Sequence, residues 1–128
     1  THCISSAASD VYKRQVMTNM EVNDHGLGCI LIPQRVLKGL NIAWGDEDAI
    51  IPLPGQLIDV KMWLIFIESS TGNYRVHLRS KTIPIDGVAR KFAGGGHPLA
   101  SGTYVDDLQD VEALIKATDK LLDTQKSA

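Results

Sequence analysis

The sequence predicts an α+β domain in which a mixed β-sheet is flanked by helices. Three observations point there. Short apolar runs at 27–32 and 59–68 have the length of buried strands rather than of helices. Residues 74–81 alternate apolar and polar behind a turn-rich stretch at 69–73, which reads as the second arm of a hairpin. Residues 107–123 repeat apolar side chains at helical spacing.

Residues 1–15 show no amphipathic period and no signal-peptide order. Their run from Ser5 to Gln15 resembles translated sequencing-adapter read-through, so they are read as a non-native, disordered leader. The 27–32 run is a strand that holds Cys29 as a small hydrophobe and is closed by Pro33. Pro33 then opens a short helix carrying Val36, Leu37 and Leu40. The stretch 46–58 starts with three acids suited to a helix N-terminus, but Pro52, Pro54 and Gly55 limit it to one or two turns before a loop. The strand at 59–68 is apolar on both faces, as expected of a central strand covered on each side.

On the returning strand, Tyr74, Val76 and Leu78 share one face and Arg75, His77 and Arg79 the other. Asp86 is positioned to cap a short helix with Val88, Ala89 and Phe92 inward, which stops at Gly94-Gly95-Gly96. The final helix directs Leu108, Val111, Leu114, Ile115, Leu121 and Leu122 inward, and 124–128 is a fraying tail.

A length of 128 residues suits one core. The net charge of -2 argues against a surface that neutralises many phosphates of a long duplex, and leaves room for a local anion site. The longest apolar run, 62–67, is far below the roughly 20 residues that span a bilayer. Cys3 and Cys29 form no CxxC pair, which suggests neither a disulfide framework nor a zinc site. A cytoplasmic location, away from membranes, is expected.

Chemistry concentrates in Gly94-Gly95-Gly96-His97-Pro98-Leu99-Ala100-Ser101-Gly102. Consecutive glycines let a backbone approach a ligand and can turn N–H groups toward an anion, and His97 adds a donor. No Gly-Lys-Ser/Thr follows, so this is not a P-loop, and Leu99 stands where a dinucleotide fingerprint needs its third glycine. Composition alone favours a flexible turn beside an ordinary exposed histidine.

The order of three strings decides between these readings: Arg79-Ser80-Lys81, then Ile85-Asp86-Gly87-Val88-Ala89-Arg90-Lys91-Phe92, then the glycine string. Together they resemble the DHH-associated domain of DHH-family phosphoesterases. The Pro-Leu-Ala-Ser-Gly ending is most similar to the oligoribonuclease (nanoRNase) and pAp phosphatase branch. Ala93 stands where relatives often carry a fourth glycine, a departure expected only to stiffen the turn.

The resemblance implies a substrate-binding domain at 59–123, led into by a connecting strand and helix at 16–58. It also implies an N-terminal DHH catalytic domain in cis that holds two manganese ions on Asp and His side chains. No such cluster exists here; Asp24-His25 is followed by Gly26 and reads as a solvated loop, so neither catalytic residues nor metal are expected on this chain. Carried onto this sequence, Arg79 holds a substrate phosphate through its fork of donors. Gly94, Gly95, Gly96 and His97 meet the same group across a cleft.

Arg75 and His77 are read as solvated side chains, Arg90 and Lys91 as the wet face of a helix, Trp63 as core and Trp44 as loop packing or a base platform. The expected ligand is a short RNA or a nucleotide phosphate such as pAp, and a homodimer is possible. The rivals are a cyclic-dinucleotide phosphodiesterase, a single-strand exonuclease of the same superfamily, and a nucleic-acid-binding module of the alanyl-tRNA synthetase C-terminal type.

Overall fold

A computed structural model describes residues 20–39 and 50–127. Residues 1–15, Leu40, Trp44 and the acidic start at 46–49 lie outside them. Six strands form one sheet: β1 (Glu21–Val22), β2 (Leu27–Ile32), β3 (Met62–Glu68), β4 (Tyr74–Ser80), β5 (Gly95–His97) and β6 (Ala100–Val105), in the order β1-β2-β3-β4-β6-β5. Among the described residues, only β2 and β3 run parallel, joined by a crossover that contains α1 (Gln34–Gly39) and a 3-10 turn at Leu53–Gln56. Every other neighbouring pair is antiparallel, so the sheet is mixed. Two further helices complete the described fold, α2 (Asp86–Lys91) and α3 (Leu108–Ser127).

Alternation along the strands splits the molecule into two cores. Leu27, Met62, Leu64, Phe66, Val76 and Leu78 pack against Val88 and Ala89 of α2 and Val111, Leu114 and Leu122 of α3. The opposite face carries Ile30, Ile32, Trp63, Ile65 and Ile67 under Leu37, Ile50, Ile51 and Val60. Trp63 is core, as expected, and its indole Nε1–H donates to the Ile51 carbonyl at 2.6 Å. β3 is buried on both faces because each side has its own cover. Among the described residues, this second cluster takes its strand members from β2 and β3 and has none from β4, β6 or β5.

Several local expectations need correction. β3 starts at Met62, because Lys61 N–H already donates to the Gly26 carbonyl at 2.8 Å and the stretch before it turns. Asp86 does not cap α2; the cap position is Ile85, and Asp86 instead accepts from Arg90 Nη1 at 2.6 Å. That bond holds the Asp86 carboxyl below its ordinary pKa. The segment 94–102 is a β-hairpin rather than a loop. The last helix continues to Ser127, and Leu108 is 58% exposed because it sits in the first turn, beyond the packed stripe. Asp107 caps it, its Oδ1 accepting from Asp110 N–H at 2.9 Å.

His25 is no free loop residue. Its Nδ1 lies 2.8 Å from Asp119 Oδ1, and Asn23 Nδ2 donates to the same oxygen at 2.6 Å. The β1–β2 turn is thereby tied to the flank of α3.

Candidate functional site

The side chains expected to carry chemistry are gathered by strand register. Arg79 pairs with Ala100 across β4 and β6, and Ala100 pairs with His97 across β6 and β5. Directly opposed residues share a face, so Arg79, Ala100 and His97 form a row on the sheet face away from α3. Arg79 and His97 stand two strand spacings apart, roughly 10 Å. Ala100 between them projects only one methyl group. The next row is Gly95, Gly102 and His77, and the one after it Tyr104 and Arg75. The β5–β6 half of this face is therefore a shallow trough floored by Gly95, Gly102 and Ala100 and walled by β4.

Arg79 is half-buried, and its Nη1 donates to the carbonyl oxygens of Leu78 and Ser101, both at 2.9 Å. The guanidinium is braced on the backbones of β4 and β6. Its two companions in the Arg-Ser-Lys string do other work. Ser80 is buried, with its hydroxyl accepting from Ile83 N–H at 3.1 Å, and Lys81 Nζ reaches the Leu57 carbonyl at 2.6 Å. His97 is exposed on the edge strand, and its carbonyl accepts from Ser101 Oγ at 2.8 Å.

The glycines reach this position through the end of α2. Gly94 N–H donates to the Ala89 carbonyl at 2.8 Å and Ala93 N–H to that of Arg90 at 3.2 Å, the two bonds of a Schellman ending. This ending places Ala93 at φ 64, in the left-handed region. Gly94 then passes so near β6 that a Cβ on it would lie 2.2 Å from the Gly102 carbonyl oxygen. Gly95, Gly96 and His97 continue as strand. Gly94 N–H is thus committed within the fold, and the glycines act by bringing β5 alongside β6 rather than as an open loop.

Among the described residues, no group of three or more His, Cys, Asp or Glu could hold a metal ion. These residues do not fit a two-manganese centre. Partial burial, with Glu21 and Asp119 adding to it, pushes the Cys29 thiol up to about 12, which disfavours its thiolate. Arg90 is engaged by Asp86, in keeping with its reading as helix surface. His77 is not solvated: it is 8% exposed, held beside Ile65 in the adjoining core. Tyr104, 61% exposed opposite Arg75, has no counterpart in the sequence reading. Its place follows from β4–β6 pairing, which the sequence did not reveal.

A family model described as the DHHA1 domain matches residues 29–124. The chain belongs to the DHHA1 family. Curated relatives of this DHHA1 chain include the probable bifunctional oligoribonuclease and PAP phosphatase NrnA of Streptococcus mutans serotype c. It is 40% identical over 107 residues, which cover 84% of this chain and 34% of that protein. The bifunctional oligoribonuclease and PAP phosphatase NrnA of Bacillus subtilis is 27% identical over 100 residues, 78% of this chain and 32% of that protein. The chain thus spans about a third of the length of the curated relatives it matches.

Among solved structures, an exopolyphosphatase-related protein from Bacteroides fragilis superposes at a TM-score of 0.74 with 23% identity, over 94% of this chain and 35% of that one. A pGpG-specific phosphodiesterase from Vibrio cholerae gives 0.68 with 15% identity, over 93% and 40%. Both share the α+β fold of the DHHA1 chain. Among the described residues, no helix is long and apolar enough to cross a membrane.

Proposed function

We propose that this chain is the substrate-binding part of a phosphoesterase that hydrolyses short oligoribonucleotides and 3'-phosphoadenosine 5'-phosphate. The observation that carries the reading is the row Arg79, Ala100 and His97, which sets a braced guanidinium and an exposed imidazole on either side of one small residue. A phosphate there accepts from both. The guanidinium offers a fixed fork matched to its oxygens, and the half-buried position strengthens each charge-assisted bond relative to open water. The two ring nitrogens of His97 let it donate whichever tautomer it holds. The bond-breaking chemistry belongs to a DHH domain in the same protein, with its manganese ions, and this chain supplies grip and orientation. The curated relatives' names support RNA fragments and pAp as the substrate class.

The test is binding of pAp to this chain by calorimetry, beside a melting curve for each variant. His97→Ala should leave the fold within about 0.5 kcal/mol of the parent, since the side chain is exposed. It should weaken pAp at least about tenfold through loss of a hydrogen bond to a charged group. Arg79→Lys keeps the charge and loses the fork, so it should bind pAp nearly as poorly as Arg79→Ala. Unchanged affinity in both His97→Ala and Arg79→Lys would falsify the assignment.

A further inference from the structure

Beyond the Arg79–His97 row, the trough ends in a notch of about 300 Å³ where β5 begins, lined by Arg75, His77, Ala93, Gly94, Gly102 and Tyr104. We infer that this notch is a base-binding subsite for a second nucleotide of a single-stranded oligoribonucleotide, with the base laid on the Tyr104 ring. The inference rests on the phosphate reading above and extends it along the sheet.

Three features carry it. Gly102 leaves the floor without a side chain, and the neighbouring strand at that level contributes Gly95, where a Cβ would meet nothing within 4 Å. A flat ring can therefore lie close to the backbone. Tyr104 is a large aromatic with 61% of its surface exposed on a face whose other β4, β5 and β6 residues are arginine, histidine, alanine or glycine. Such a ring stacks any base without regard to sequence. Arg75 pairs with Tyr104 across β4 and β6, so a cation stands beside the platform where the phosphate attached to a stacked nucleoside would run.

The distance sets the ligand class. Tyr104 follows Ala100 by four residues on the same strand, roughly 13 Å. A single nucleotide, whose base and phosphate are separated by one sugar, does not fill both places, whereas a chain of three nucleotides does. The notch is then a length sensor: it adds affinity for oligoribonucleotides and none for pAp.

The experiment titrates this chain with two probes, pAp and triadenylate, by calorimetry. Tyr104→Ala should weaken triadenylate about tenfold and leave pAp within about twofold of the parent, because stacking on one base is lost. Tyr104→Phe should bind both probes like the parent, since the ring remains and only the hydroxyl is gone. The inference is overturned if Tyr104→Ala binds triadenylate like the parent, if it weakens both probes equally, or if Tyr104→Phe is as weak as Tyr104→Ala. Arg79→Lys and His97→Ala separate the two levels: pAp affinity unmoved by both changes sinks the phosphate reading, whereas a loss of pAp affinity with no Tyr104 effect sinks the notch alone. Absence of any binding by the parent overturns both.

Discussion

Ala93 pays for the position of the glycines behind it. An L-residue in the left-handed region brings its Cβ against the following carbonyl, at roughly 1–2 kcal/mol, and a glycine there avoids that clash while costing about 0.5–1 kcal/mol in chain entropy. Ala93→Gly should therefore raise the denaturant midpoint, by about 0.5–1 kcal/mol of stability with an unchanged slope. A lower midpoint would contradict the strain. Its neighbour should respond with the opposite sign, since Gly94→Ala drives a methyl into the Gly102 carbonyl. The sequence had shown Ala93 as a departure that stiffens the turn. What it could not show is the sign of φ, which depends on how α2 ends against β6. Arg79 and His97 were legible as a motif, but their common row was not, because it depends on two strand pairings with Ala100 between them.

The strands divide sharply by how visible they were. β3 and β4 announced themselves because apolar and polar residues alternate, or because a run is apolar throughout, and a turn stands between them. β6 is hidden by an inverted pattern: its inward residues include Ser101 and Thr103, and its outward ones are Ala100, Gly102 and Tyr104. Burial of those hydroxyls is tolerated because Ser101 Oγ donates to the His97 carbonyl at 2.8 Å and Thr103 Oγ1 to that of Phe92 at 2.7 Å. β5, made of two glycines and His97, has no pattern to read. In β2, Cys29 is partly buried and packs against the first core as a small hydrophobe. Burial is the first cause of its raised thiol pKa, followed by the charges of Glu21 and Asp119. The unfolded thiol ionises near 9.0 and the folded one only near 12, so ionisation erodes stability as pH rises through that window. At neutral pH, iodoacetamide should modify Cys29 far more slowly in the folded chain than in denaturant. Equal rates, followed by peptide mass spectrometry, would show that the thiol is open.

Among the described residues, one face of the sheet packs against α2 and α3, and the cluster on the other face takes its strand members from β2 and β3. The fold class could be read from three stretches of sequence; the trough could not, because its rows are set by how β4, β6 and β5 pair. With no metal-binding group among the described residues, this chain by itself should release no phosphate from pAp in the presence of manganese. Turnover above a no-protein control that follows the chain through successive columns would refute this. β4 carries core and trough on alternate residues, with Tyr74, Val76 and Leu78 facing one way and Arg75, His77 and Arg79 the other. A single inserted or deleted codon within it would exchange the two sets, thrusting guanidinium groups into the hydrocarbon and valine and leucine toward the ligand. Changes in length along this strand are thus closed to evolutionary drift, whereas the turn at 69–73, outside both cores, stays open to it.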